Sequence, residues 1–232
     1  MSNRSVLLNI ILMLFLGVLP AAGYPTEEES FSRANTLLFL SDHLASVTTP
    51  ARLLYDFRKT GTREDGFSDT VEVQFAEALA EDGKRVEVNF FTGERARPVP
   101  AMTVSEGNPI VMLFLQREVN ELGRLTGSSW RHFQKQIKLA LENDAEVTPV
   151  TVTLEGEAIP ATRIRIAPYL EDPQRRQFEA FAETRYEFTL SDEVPGFVYE
   201  IHAVTPGNGA DPAKADSEPL REEALTYRTL VH

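Results

Sequence analysis

Residues 108–143 read NPIVMLFLQREVNELGRLTGSSWRHFQKQIKLALEN, the longest helical signal beyond the N-terminal apolar run. Asn108 followed by Pro109 is a helix start: the Asn side chain can accept from the first free N–H groups, and Pro at the first helical position loses no hydrogen bond. Ile110, Val111, Met112, Leu113, Phe114 and Leu115 leave the first turns apolar on nearly every side, which predicts burial. Leu115, Val119, Leu122 and Leu125 continue as a one-sided stripe, and Gly127 stands where a left-handed helix end favours glycine. Ser128 or Ser129 can cap a second helix, with Trp130, Phe133, Ile137, Ala140 and Leu141 at helical spacing until Asn143-Asp144. Such a helical pair is a core that a sheet can wrap.

The flanks alternate with the period of strands. Glu27-Glu28-Glu29-Ser30 before Phe31, Leu37, Leu38, Leu40 and Leu44 predicts an N-terminal amphipathic helix ending near Pro50. Leu53, Tyr55 and Phe57 then alternate with charged residues, as do Val71, Val73 and Phe75. Asp82-Gly83 marks a tight hairpin into Val86, Val88 and Phe90, and Pro98 and Pro100 interrupt the next segment. Beyond the helices, Val150, Val152 and Leu154 turn at Glu155-Gly156-Glu157 into Ile164 and Ile166. A short helix follows Asp172-Pro173, with Phe178 and Phe181 inward; strands are expected over residues 185–190 and 197–203, and around Leu225, Tyr227 and Val231. Residues 206–218, rich in Gly, Pro, Ala and Asp, read as a mobile excursion. Grouped hairpins and few helices predict an α+β class: a curved, mainly antiparallel sheet, a half-open barrel, wrapped around the central helical pair with an N-terminal helix.

The chain of 232 residues is long enough for one well-buried domain, expected over residues 24–232. Residues 1–23 have a different character. Arg4 precedes an apolar run over residues 6–18, and Pro20-Ala21-Ala22-Gly23 supplies a break and small residues, the pattern of a secretory signal peptide cleaved before Tyr24. The alternative, an uncleaved anchor, calls for about twenty apolar residues. There is no Cys, hence no disulfide, thiol nucleophile, thiolate metal site or lipid-bearing cysteine after the signal. A formal charge of −12 makes broad contact with nucleic acid or an anionic membrane unfavourable. A periplasmic protein without a membrane span after cleavage is the simplest expectation.

Little in the chain suggests catalysis. Arg131, Lys135 and Lys138 lie at helical spacing beside the Trp130-Phe133-Ile137 stripe, and Arg124 near the helix junction can join them. In so acidic a chain these four are the candidate binding residues, anchoring a phosphate or carboxylate head group beside an apolar cavity; the competing reading is a solvated face that neutralises nearby acids. Glu118 projects towards the Leu122 and Leu125 side, where burial would raise its pKa; pairing with an Arg is the plainer role than that of a catalytic acid. Glu121 is expected to face solvent. His43, His132, His202 and His232 are scattered without a metal-ligand spacing, so no metal and no cofactor is expected. Ser128-Ser129 follows Gly127 but does not form a Gly-x-Ser-x-Gly elbow. Tyr55, Phe57, Phe75, Phe90, Tyr186, Phe188, Phe197 and Tyr199 occupy period-two positions that suit core packing, or the lining of a cavity for an acyl chain.

An exported chain with an N-terminal helix, hairpins, internal helices and a closing strand resembles the periplasmic lipoprotein-carrier, or LolA-like, half-barrels. The resemblance is architectural and spans most of residues 24–232. Residues 122–131 (LGRLTGSSWR) and 188–196 (FTLSDEVPG) are also similar to segments of exported proteobacterial proteins, and neither transfers a functional residue. The resemblance implies a hydrophobic cavity between sheet and helices. Two functions are therefore expected: a non-enzymatic periplasmic protein binding a hydrophobic or amphipathic ligand or a lipid-bearing partner, or an accessory scaffold of an envelope complex with no small-molecule ligand. A packed interior would favour the second.

Overall fold

A computed structural model describes residues 31–76, 83–207 and 218–232. A short helix α1 (Arg33–Asn35) runs into a π turn, Thr36–Leu40. Strands β1 (Ala51–Thr60), β2 (Phe67–Phe75), β3 (Lys84–Phe90) and β4 (Arg97–Val104) then form an antiparallel meander. Helices α2 (Pro109–Thr126) and α3 (Trp130–Asn143) follow, and β5 (Glu146–Leu154), β6 (Glu157–Ile166), β7 (Arg185–Leu190), β8 (Val198–Thr205) and β9 (Arg221–Val231) form a second meander. The strand order is β4-β3-β2-β1-β9-β8-β7-β6-β5. The first meander grows outward from β1 to one edge, the helical pair carries the chain across to the other edge, and the second meander returns until β9 pairs with β1 at the centre. Among the described residues the result is a nine-stranded, curved and unclosed antiparallel sheet with its helices, an α+β half-barrel.

Period-two patterning explains which face is covered. Ala51, Leu53, Tyr55 and Phe57 of β1 point inward, as do Val71, Val73 and Phe75 of β2 and Val86, Val88 and Phe90 of β3. They meet Ile110, Val111, Phe114, Val119 and Leu122 of α2 and Phe133 and Ile137 of α3 in one continuous core. The two-residue turn between β5 and β6 has both Glu155 and Gly156 at positive φ, the twist that suits a tight hairpin.

The α2 start is anchored from three directions. Asn108 accepts from the Ile110 N–H at 3.1 Å, while its amide nitrogen donates to the Tyr55 hydroxyl at 3.0 Å and to the Gly196 carbonyl at 2.9 Å. Gly196 has φ +80°, which favours glycine, and a Cβ there would stand 2.5 Å from Leu53 Cδ1 and have to displace that buried side chain. At the other end Gly127, at φ +72°, donates its N–H to the Gly123 carbonyl.

Several expectations need correction. The N-terminal helix is shorter than its apolar spacing suggested. Pro98 and Pro100 do not interrupt a segment but lie within β4, an edge strand where a missing N–H is tolerated. Pro100 and Ala101 fall opposite the single residue Glu87, because Val86 pairs with Met102 and Val88 with Val99, a bulge that shifts the register by one residue between two regularly paired stretches. Ser129 occupies the cap position of α3 without a side-chain cap bond. Tyr199 is half-buried and donates to the Thr153 carbonyl, and Phe197, at φ +68°, precedes β8 and stacks on His43 with ring centroids 4.6 Å apart. The signal-peptide reading of residues 1–23 and most of the excursion at 206–218 lie outside the described residues, as does Asp82 of the proposed hairpin turn.

Candidate functional site

The space between sheet and helices is closed. Phe57, Phe114, Phe133, Tyr186 and Phe188 are at most 1% exposed, and Phe133 packs edge-on against Tyr169 and Phe178 at centroid separations of 5.3 and 5.1 Å. Among the described residues, aromatic side chains fill the space where a cavity was expected. A cavity of about 790 Å³ lies instead where the N-terminal helical turn meets α2 and α3. Phe31, Phe39 and Leu40 form one wall, Met112, Leu113 and Val119 a second, and Ile137, Leu139 and Leu141 a third.

The wall from α2 explains the run that is apolar all round. Ile110, Val111 and Phe114 enter the core, and the surplus face, Met112 and Leu113, lines the groove. Leu139 is the corresponding signal on α3: it stands off the buried stripe of Phe133, Ile137, Ala140 and Leu141 and is 44% exposed. The polar lining is Asn35, Gln116, Gln134, Lys138 and Glu142. Glu142 is already committed, accepting from the Asn35 amide at 2.5 Å, which ties α1 to the end of α3.

The four candidate basic residues are not brought together. Lys138 lines the groove, exposed and without a hydrogen-bond or ion-pair partner among the described residues. Lys135 is likewise exposed, and Arg131 lies over the Trp130 ring at 4.6 Å from its centre. Arg124 is elsewhere, bound to Glu121 at 2.9 Å and to Glu64.

A second constellation is visible in the sequence only at Glu118, whose burial and pairing with an Arg are as expected, and not in its partners. Glu118 is fully buried and meets Arg221 through two bonds, Nη1 to Oε2 at 2.8 Å and Nη2 to Oε1 at 2.5 Å. Arg221 also lies 2.9 Å from Glu223, which is bound by Arg117 as well, and Lys59 joins Glu223 to Glu64 and Glu121 at 3.6, 2.7 and 3.3 Å. With Arg124, four acids and four bases from β1, the loop after it, α2 and β9 thus form one network. Burial pushes the Glu118 carboxyl up to about 7, outweighing the Arg221 contact that opposes it. Glu223 is held at about 2 by Arg221 and Arg117 in spite of its burial. Glu121, expected to face solvent, is half-buried at the network's outer end, where hydrogen bonding to Arg124 and the nearby Lys59 bring it to about 2. The Arg117 guanidinium also covers the Phe57 ring at 4.8 Å. The network's inner part, Glu118, Arg221 and Glu223, is closed to solvent, while Glu64, Glu121 and Arg124 carry it out to the surface; its effect is to tie α2 to β9 and β1.

The histidines are separate. His43 is buried, bonded to the Leu37 carbonyl at 2.7 Å, and burial lowers its pKa. His132 pairs with Asp172 at 2.6 Å and His202 with Glu222 at 2.8 Å. No cluster of metal-ligating side chains occurs among the described residues, and none of their helices is long and apolar enough to cross a membrane.

No protein-family model and no curated protein matches the chain. Among solved structures, the lipoprotein LppX of Mycobacterium tuberculosis is similar over 78% of this chain and 86% of its own, with 8% identity and a TM-score of 0.31. A LolA-superfamily protein from Nitrosomonas europaea is similar over 85% of this chain and 89% of its own, with 6% identity and a TM-score of 0.20. At such scores neither likeness bears on the site, whose reading rests on its own geometry.

Proposed function

We propose that this chain is an exported periplasmic binding protein that takes the apolar part of an amphipathic, lipid-like molecule, free or attached to a partner, into the groove between the N-terminal turn, α2 and α3. One observation carries this reading. Five large apolar side chains are exposed among the described residues, and four of them, Phe31, Leu40, Met112 and Leu139, line this one groove. Contiguous exposed apolar surface is costly in water and marks binding surfaces. The volume falls within the roughly 300–1,000 Å³ of small-molecule pockets, and Lys138 at its edge suits an anionic head group. Export rests on the pattern of residues 1–23.

The test is native mass spectrometry of the processed protein, purified from the periplasm without detergent, before and after organic extraction. A reproducible extra mass lost on extraction is expected, and Met112→Asp with Leu139→Asp should abolish it. Lys138→Glu should selectively weaken retention of anionic ligands. A bare chain that also fails to take up added lipid would refute the reading.

The filled interior favours a second reading, an envelope scaffold whose groove receives an apolar segment of a partner protein. In that case the extra mass would be a polypeptide, and extraction of lipid would leave it in place.

A further inference from the structure

We infer that the outer face of α3 docks on an anionic bilayer, so that the groove opens onto the lipid surface from which its ligand is drawn. This inference rests on the binding reading above and adds the source of the ligand. The observation is a juxtaposition of free charge and exposed apolar surface. Arg131, Lys135 and Lys138 are spaced along one side of α3, all exposed, and none has an ion pair among the described residues. Other described cations, Arg58, Arg85, Arg176 and Arg185 among them, also lack an ion pair; what sets these three apart is their place on one helix beside the exposed apolar lining of the groove. The only acid within α3 is Glu142, which is turned to Asn35.

Leu139 lies four residues after Lys135 and one after Lys138, and lines the same groove as Met112. A surface carrying cations beside protruding apolar side chains suits an interface where head groups are anionic and acyl chains lie just beneath. Half-buried Trp130, next to Arg131, has the amphipathic character favoured at that depth. The chain's net charge of −12 opposes broad contact with such a surface and so restricts the approach to orientations that bring these cations forward. An anionic surface repels the acidic bulk and attracts the face that carries three unpaired cations, so the favourable approach brings the groove edge forward.

Vesicle co-sedimentation tests the inference, using the processed protein with vesicles of phosphatidylcholine alone or phosphatidylcholine with one quarter phosphatidylglycerol. Binding is expected to the anionic vesicles only and to weaken as salt is raised. Each cation near such a surface is worth roughly a fivefold change in partition, so Arg131→Glu with Lys135→Glu should reduce vesicle binding by at least about tenfold. Neither residue lines the groove, so this variant should still take up a soluble fluorescent fatty acid. Failure of the wild-type chain to bind anionic vesicles, or equal binding by the variant, would overturn docking. Fatty-acid uptake retained in that event would leave the groove reading standing, whereas loss of both in the wild-type chain would remove both.

Discussion

Arg221 of β9 grips Glu118 of α2 with both terminal nitrogens, at 2.8 and 2.5 Å, across the inside of the half-barrel where each side chain is almost wholly closed to solvent. Two charges out of water are tolerated only as a well-bonded set, and removing one partner leaves the other stranded. Arg221→Met should therefore destabilise the fold by about 3–5 kcal/mol, and adding Glu118→Leu should recover part of that loss. Urea unfolding of the two variants measures it. A single variant within about 1 kcal/mol of the parent would show that Lys59 and Arg117 hold the acids unaided.

The same network sets opposed pH dependences. Glu223 and Glu121, at about 2, release protons more readily than the ordinary carboxyl at 4.5. Their stabilisation is full above 4.5 and is lost as pH falls towards 2. Glu118, at about 7, has the opposite sign: between 4.5 and 7 the folded chain holds a proton that the unfolded chain has released, so stability declines as pH rises through that window. The slope for one proton cannot exceed about 1.4 kcal/mol per pH unit. Glu118→Gln should flatten the urea midpoint between pH 4.5 and 7 and leave the acid limb intact. An unchanged profile in the upper window would show that Glu118 stays ionised.

Asn108 makes a cap and a cross-link at once. As a cap alone, Asp would serve as well as Asn. The Asn108 amide, however, donates to the Gly196 carbonyl, which can only accept, so Asn108→Asp sets a carboxylate oxygen against it. Asn108→Asp should cost at least as much as Asn108→Ala, each about 1–3 kcal/mol, by thermal unfolding. Equal stability of the Asp variant and the parent would reduce the residue to a cap.

Leu139 separates groove from core. Because it is 44% exposed, Leu139→Asp should change stability by no more than about 0.5 kcal/mol while weakening uptake of an apolar probe. Ile137→Asp, two residues away and 3% exposed, should unfold the chain. Calorimetry of the pair, with fluorescence titration of the folded one, makes the comparison.

Much of the fold is legible in local sequence patterns. The alternation through Leu53-Tyr55-Phe57 and Val71-Val73-Phe75 marks strands, and Asn108-Pro109 and Gly127 mark both ends of α2, because backbone geometry acts over a few residues. The groove is legible only as an excess: Met112 and Leu139 lie outside the apolar stripes their helices need for the core. Of the charged network, Glu118 as a buried acid paired with an Arg is legible; the rest is hidden because Lys59, Arg221 and Glu223 occupy inward strand positions ordinarily filled by apolar residues, and their compensation comes from elements far apart in sequence.

The sequence by itself therefore determined most of the elements, though not β4 or the short N-terminal turn, with their antiparallel class and the central place of the helical pair, since periodicity, caps and turn residues are local properties. Tertiary structure alone decided that β9 closes against β1, that aromatics fill the interior, and that the open apolar surface lies on the far side of the helices. It also decided that Lys138 stays free while Arg124 is consumed by Glu64 and Glu121. Those outcomes depend on which faces meet between segments distant in the chain, 60 residues apart for Arg124 and Glu64 and 103 for Glu118 and Arg221, and each follows from burying apolar area while leaving no charge without a partner out of water.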